Sequence, residues 1–494
     1  MITYPLFING ELIETKEQNA ILNPSTAEPF AQVSVAGEKE IENALGAARA
    51  AFDSGAWPKI PFSERKAFLL KIADGILEKA GELAQLETLN TGKPIKESTF
   101  MDIPSAAKAF QYIAENFEKF LVEDSPALEA QASAKLIREP FGVAALIVPW
   151  NYPLLIACWK LASSLAAGNC VVLKPSSLTP LSALELGKII HTAGLPKGTV
   201  NIINGSGSKI GKALCSDKRV DIISFTGSNE VGKQIIEYAS QNVKKLVMEL
   251  GGKSANIICK DAPLDVAVNS SLCSIFLNQG QMCTGMSRIL VESAIYDDFV
   301  SNFVEKTKRI KIGPGSEFET QIGPLVSRAQ QRKVLGFVED AKKQGGKVLC
   351  GGKIPQEANF KNGFFFEPTV IADLAPAAGI LKEEIFGPVA CISKFSSIEE
   401  AVTMANDSDF ALAACIWAKD EAKAHTIAAK INAGTIWVNT YGMFYNELPY
   451  GGFKQSGFGK ELGKEGFLEY ARIKSVIMDH SPEGKPLVSY WYGF

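Results

Sequence analysis

The stretch Val143-Ala-Ala-Leu-Ile-Val-Pro-Trp-Asn-Tyr-Pro153 decides how this chain is read. Its apolar run 143–148 has no polar alternation, so the strand it predicts is covered on both faces. A helical apolar pattern follows at 154–166, then a second apolar run at 169–173. Further outward, the runs 200–203, 222–225 and 246–248 alternate with helical segments at 182–192 and 230–239. Strand and helix in turn predict a parallel, doubly wound sheet with helices on both faces, whose ligands sit beyond the carboxyl ends of the strands.

A second alternating series, from 254 to about 439 with strands at 288–292, 413–417 and 435–438, predicts another α/β domain. The first ~50 residues read as short strands and turns, including Leu6-Phe-Ile-Asn-Gly10, followed by a helical cover. In that cover Leu69, Ile72, Ala73 and Ile76 form one apolar stripe, on a helix that Gly81 is expected to weaken. The segments 132–139 and 473–478 fit neither core. As strand edges they predict a subunit contact, with pairing inside one chain as the alternative.

The 494 residues exceed what one growing core supports, so more than one domain is expected. A net charge of −3, from 51 basic and 54 acidic residues mixed along the chain, argues against a nucleic-acid partner. The start of the chain lacks the features of a secretory signal. Lys160, Asn169 and Gly168 break the most apolar region, so no membrane span is expected. Nine scattered cysteines without a CxxC pair fit reduced thiols in a cytoplasm. Three histidines without partner ligands at helical spacing give a metal mechanism no support.

Cys283 lies in Phe276-Leu-Asn-Gln-Gly-Gln-Met-Cys-Thr284, a small and polar approach that suits a nucleophile, although most unpaired cysteines are inert core residues. Gly205-Ser-Gly-Ser-Lys-Ile-Gly211 is spaced GxGxxxG and misses the dinucleotide fingerprint by one residue. Phe225-Thr-Gly-Ser-Asn-Glu-Val-Gly232 is the better phosphate site. It follows a strand and opens a helix, so Gly227 permits the turn while Ser228 and free amides face an anion, or Ser228 simply caps the helix. Leu173-Lys-Pro-Ser-Ser177 puts Lys174 at a strand's carboxyl edge, where a cofactor ribose would lie.

Four stretches together carry a resemblance: Pro149-Trp-Asn-Tyr-Pro153, Met248-Glu-Leu-Gly-Gly-Lys-Ser254, the Cys283 segment, and Glu383-Glu-Ile-Phe-Gly-Pro388. With Gly451-Gly-Phe-Lys-Gln-Ser-Gly457 they make the chain resemble, over nearly its whole length, the non-acylating NAD(P)-dependent aldehyde dehydrogenase superfamily. The resemblance implies a Rossmann-like cofactor domain from 1–120 and 140–250, a catalytic domain from 251–455, and an oligomerisation arm and tail from 121–139 and 456–494. It further implies that Cys283 attacks the aldehyde carbon, that the Asn151 amide and the Cys283 N–H hold the oxyanion, and that Glu249 activates the hydrolytic water.

For the cofactor the resemblance implies Lys174 at the adenosine ribose, Ser228 at the pyrophosphate, and Glu384 with Phe386 at the nicotinamide ribose. Ile147, Pro149, Trp150, Ser176, Ser177, Gly207, Gly211, Phe225, Thr226, Gly227, Val231, Leu250, Gly251 and Gln330 complete that site. Ser177 stands where NAD-preferring members commonly carry glutamate, so NADP is expected beside NAD. Tyr152, Leu155, Trp159, Met282, Thr284, Phe444 and Tyr450 are implied to line an apolar aldehyde tunnel. Medium or long aliphatic, aromatic or isoprenoid aldehydes are favoured, with betaine aldehyde second because aromatic faces hold quaternary ammonium.

Two other classes are set aside. A cysteine hydrolase wants a histidine in a recognisable signature, and a non-catalytic descendant would not need Cys283, Glu249 and Asn151 together. Among closer neighbours, Glu249 favours water over coenzyme A as acyl acceptor. A homo-oligomer, no nucleic acid and no membrane complete the expectation.

Overall fold

The computed structural model describes residues 1–128 and 131–482. Residues 483–494, part of the expected tail, lie outside the described residues.

The run that opens the reading becomes the strand Val143–Ile147, with every residue buried. It sits inside an eight-stranded sheet in the order Gly457–Phe458, Lys245–Glu249, Ile222–Thr226, Val143–Ile147, Cys170–Lys174, Val200–Ile202, Leu6–Ile8, Glu11–Ile13. The central five strands are parallel, and both edges are antiparallel. Strand order reverses between Val143–Ile147 and Ile222–Thr226, which opens a crevice at their carboxyl ends. The opening residues are thus more than a cover, since Leu6–Ile8 and Glu11–Ile13 close one edge of this sheet.

Helix Pro153–Ala167 starts with proline at its first position and stops at Gly168, whose φ of 103° only glycine adopts readily. It is apolar all round and buried almost throughout, so it fixes Asn151 just ahead of its first turn. The stripe Leu69, Ile72, Ala73 and Ile76 is fully buried on helix Phe62–Glu78. Each of its large side chains contributes roughly 2 kcal/mol of burial. Gly81 falls outside that helix, in the first turn of Ala80–Thr91, so the expected weakening does not occur.

The second sheet has seven strands in the order Lys347–Cys350, Thr369–Ala372, Val389–Phe395, Arg288–Glu292, Ala255–Ile258, Ala413–Trp417, Thr435–Val438. All its pairings are parallel save that of Lys347–Cys350. Residues from both α/β layers line one cleft that includes Cys283.

The expected arm and tail need correction over 456–470. Gly457–Phe458 pairs with Lys245–Glu249 in the first sheet, and Tyr470 and Phe467 are buried in the first layer's core. The Glu461 carboxylate accepts there from both the Lys160 ammonium and the Tyr470 hydroxyl, which holds this segment inside. The two orphan segments pair with one another as Ala132–Pro140 and Ala471–Asp479, in register from Ala471 opposite Pro140 to Asp479 opposite Ala132. Pairing within one chain thus satisfies their backbones, yet apolar Ile473, Ile477 and Met478 stay exposed, Ile477 by 71%. No helix among the described residues is long and apolar enough to cross a membrane.

Candidate active site

Helix Leu264–Phe276 delivers the chain to an unusual bend, where Asn278, Gln279 and Gly280 all take positive φ, at 47°, 56° and 70°. A Cβ on Gly280 would stand 2.2 Å from the Gly387 carbonyl oxygen, so only glycine fits. The Gln281 side chain then accepts from the Val326 N–H at 3.0 Å, pinning the approach to Cys283. Gly252 is equally constrained, for a Cβ there would lie 2.3 Å from the Cys283 carbonyl oxygen.

The Cys283 thiol sits 3.1 Å from the Tyr450 hydroxyl. Loss of water around it pushes its pKa up to about 12, against the opposing pull of that hydrogen bond, while the Glu384 and Glu249 carboxylates raise it further. Such a thiol is largely protonated at neutral pH and needs a nearby positive charge to ionise.

On one side of Cys283 lies a cleft of about 530 Å³ at the switch point of the first sheet. Every cofactor residue expected from sequence, from Ile147 and Pro149 to Glu384 and Phe386, lines it, together with Asn151. Lys174 is buried, with its ammonium on the Pro175 carbonyl oxygen at 2.9 Å, and burial pulls its pKa down to about 8. Ser228 caps helix Asn229–Ala239 by accepting from the Val231 N–H at 3.4 Å. The other first-turn amides of a helix start of this kind are free to bond an anion.

The Trp150 and Phe386 rings meet edge to face at 5.1 Å, and Gln330 donates to the Phe386 carbonyl oxygen at 2.8 Å. Glu384 accepts from the Gly252 N–H at 2.9 Å, and burial pushes its pKa up to about 7. Lys212 and Lys333 also line the cleft and escaped the sequence reading, because an exposed lysine on a helix looks like any solvated surface charge.

On the other side lies a cavity of about 390 Å³ lined by Tyr152, Leu155, Trp159, Met282, Thr284, Phe444 and Tyr450. Trp159, Phe444 and Tyr450 pack as a cluster, with ring centroids 5.3 to 5.9 Å apart. Tyr441 belongs there too, its hydroxyl 3.4 Å from the Thr284 hydroxyl, and nothing in its loop context marked it beforehand. Cys283 is shared by cleft and cavity.

Glu249 ends strand Lys245–Glu249 and reaches into the same cavity. Both of its carboxylate oxygens are buried without a protein partner. Burial, and next the Glu461 carboxylate, hold its pKa well above the usual range. Gly451, with φ 151°, leaves it room, since a Cβ there would stand 2.3 Å from Glu249 Oε1. Below Glu249, Lys160 donates to Glu461 at 2.6 Å and to Ser224 at 2.7 Å, and Tyr470 donates to Ser224 at 2.9 Å. A lysine inside the most apolar helix was the sequence signal that such a partner had to exist.

Asn151 donates through Nδ2 to the Gln281 carbonyl oxygen at 2.9 Å. An amide carries two N–H groups, so one remains for a ligand. Among the described residues no cluster of His, Cys, Asp or Glu is arranged to hold a metal ion.

Two parallel-sheet layers, a cleft at the switch point, and one thiol shared with an aromatic cavity are the arrangement of a nucleotide-dependent enzyme with a cysteine at its centre. The sequence model of the aldehyde dehydrogenase family matches residues 12–476, and the chain belongs to that family. Betaine aldehyde dehydrogenase of Bacillus subtilis (strain 168) is 44% identical over 479 residues, covering 97% of this chain and 98% of the relative. Retinaldehyde dehydrogenase 3 of Mus musculus is 41% identical over 477 residues, covering 96% of this chain and 92% of the relative. A crystal structure of betaine aldehyde dehydrogenase from Staphylococcus aureus in complex with NAD+ superposes with a TM-score of 0.95 at 39% identity, covering 99% of this chain and 96% of that one.

Proposed function

We propose that this aldehyde dehydrogenase oxidises an apolar aldehyde to its carboxylic acid with NAD or NADP, through a thioester on Cys283. The observation that carries the reading is that Cys283 lines both the dinucleotide cleft and the aromatic cavity, so one atom bridges hydride acceptor and aldehyde. The residues of the cleft fit a dinucleotide: a buried lysine ammonium bonded only to a backbone carbonyl, a capped helix start, and the half-buried Glu384 carboxylate near Cys283. When bound, the dinucleotide supplies the hydride acceptor and a positive ring beside the thiol.

The Cys283 thiolate forms a C–S bond to the aldehyde carbon, and the carbonyl oxygen takes up the negative charge. The free Asn151 N–H and the Cys283 N–H hold that oxyanion, a contribution of roughly 3 kcal/mol per donor. Loss of hydride from the carbon leaves a thioester. Glu249, whose raised pKa makes it a competent base, takes a proton from the water that attacks the thioester, and the acid leaves as the thiol is restored.

Ser177 supports dual coenzyme use. It lines the cleft as a neutral donor where a carboxylate would repel a 2′-phosphate. The apolar wall of Leu155, Met282, Phe444 and Trp159 supports medium or long aliphatic, aromatic or isoprenoid aldehydes. Betaine aldehyde is the second reading, favoured by the Trp159, Phe444 and Tyr450 cluster, whose ring faces suit a quaternary ammonium. The exposed apolar strand Ala471–Asp479 supports a homo-oligomer, and the nine free thiols support a cytoplasmic setting.

Absorbance at 340 nm, with each coenzyme against a panel of aliphatic, aromatic, isoprenoid and betaine aldehydes, tests the proposal. Cys283→Ala is expected to form no reduced coenzyme while binding NAD as the parent does. Turnover by Cys283→Ala sinks the mechanism, and a preference for NAD over NADP above about 10³-fold sinks the dual-coenzyme reading.

A further inference from the structure

Glu97 closes the short turn Ile95–Glu97, far from Cys283 in sequence, and is buried. Both of its carboxyl oxygens lie within reach of the Asn278 N–H, at 2.9 and 3.2 Å. Asn278 begins the left-handed run of Asn278, Gln279 and Gly280. Non-glycine residues in that region are strained and persist only where their surroundings over-determine them.

The Asn278 side chain donates to the carbonyl oxygens of Asn151 and Gln281, at 3.1 and 3.2 Å. Asn151 in turn donates to the same Gln281 carbonyl oxygen. One residue therefore ties the oxyanion donor to the approach of the nucleophile, and Glu97 grips the backbone of that residue. We propose that Glu97 is a positioning residue, holding Asn278 so that Cys283 and Asn151 keep their mutual geometry.

The turn that carries Glu97 is itself anchored. Lys93 pairs with Asp102 at 2.5 Å in a fully buried contact and lies 4.0 Å over the Tyr152 ring, next in the chain to Asn151. Burial pushes the Glu97 carboxyl up to about 8, with Lys93 opposing. At neutral pH it is largely the neutral acid, whose carbonyl oxygen accepts an N–H as a glutamine amide does.

This inference rests on the reading of Cys283 as nucleophile. The test compares Glu97→Gln, which keeps an acceptor, with Glu97→Met, which keeps the length and removes it. Turnover, KM, NAD affinity, and iodoacetamide alkylation of Cys283 followed by peptide mass are measured on the full-length enzyme. Glu97→Met is expected to lose about tenfold or more in kcat, as misplaced reacting groups do, with NAD affinity within about twofold. Glu97→Gln is expected to stay within about threefold of the parent in kcat and alkylation rate.

Parent-like kcat in Glu97→Met overturns the proposal, as does a loss in folded Glu97→Gln of about tenfold or more. If Glu97→Met fails to fold, Glu97→Gln decides alone on the same thresholds. Full alkylation of Cys283 that leaves parental turnover intact overturns the nucleophile reading itself, a separate result.

Discussion

Replacing Tyr450 by phenylalanine deletes one oxygen from the site and little else. The ring remains to pack against Trp159 and Phe444, at 5.9 and 5.3 Å between centroids, so the cavity wall is preserved. What goes is the donor 3.1 Å from the Cys283 sulfur. A hydrogen bond to a charged acceptor is worth about 1.5–3 kcal/mol, roughly 10- to 100-fold in the ionisation equilibrium, so its loss pushes the thiol pKa further up.

At a fixed pH below that pKa the thiolate fraction falls by the same 10- to 100-fold, roughly. A more basic thiolate is also a better nucleophile, with a Brønsted slope of about 0.5, which cancels about half the logarithmic loss. The net expectation is alkylation of Cys283 slowed by roughly 3- to 10-fold. Iodoacetamide labelling from about pH 7 to 10, read by intact mass, measures it. Equal rates for Tyr450→Phe and the parent across that range would refute the idea that this hydroxyl stabilises the thiolate.

Two further outcomes follow from buried charges. Glu384, with its pKa pushed up to about 7, gains its charge as pH rises through that value and then accepts ribose hydroxyls more strongly. NAD affinity should therefore improve by up to about tenfold between about pH 6 and 8, and Glu384→Gln should flatten the titration; an unchanged slope in the variant removes Glu384 from the cofactor site. Lys160→Met strands the Glu461 carboxylate and should cost about 3–5 kcal/mol. A denaturant midpoint equal to the parent's would show that the pair is not holding residues 456–470 against the first layer.

Much of this enzyme was legible one residue at a time. The unbroken apolar run at 143–148 had to be a strand covered on both faces, because backbone groups inside a core are satisfied only by neighbouring strands. The motifs around Cys283, Glu249 and Asn151 were legible through their resemblance to a family, and the structure supplies the reason for Gly252, Gly280 and Gly451: a Cβ on each would stand within 2.3 Å of a neighbouring atom. Lys160 in an apolar helix was read only as a break in a hydrophobic run, with no partner assigned.

Only the tertiary structure named Glu461, more than half the chain away, as the partner of Lys160, and drew 456–470 out of the expected arm against the first layer, with Gly457–Phe458 joining its sheet. Only it brought Glu97 to Asn278, Tyr441 to Thr284 and the Tyr450 hydroxyl to Cys283. Local sequence fixes what a segment can become through propensity and periodicity. Which distant polar groups satisfy one another depends on how layers stack, and no local pattern encodes that.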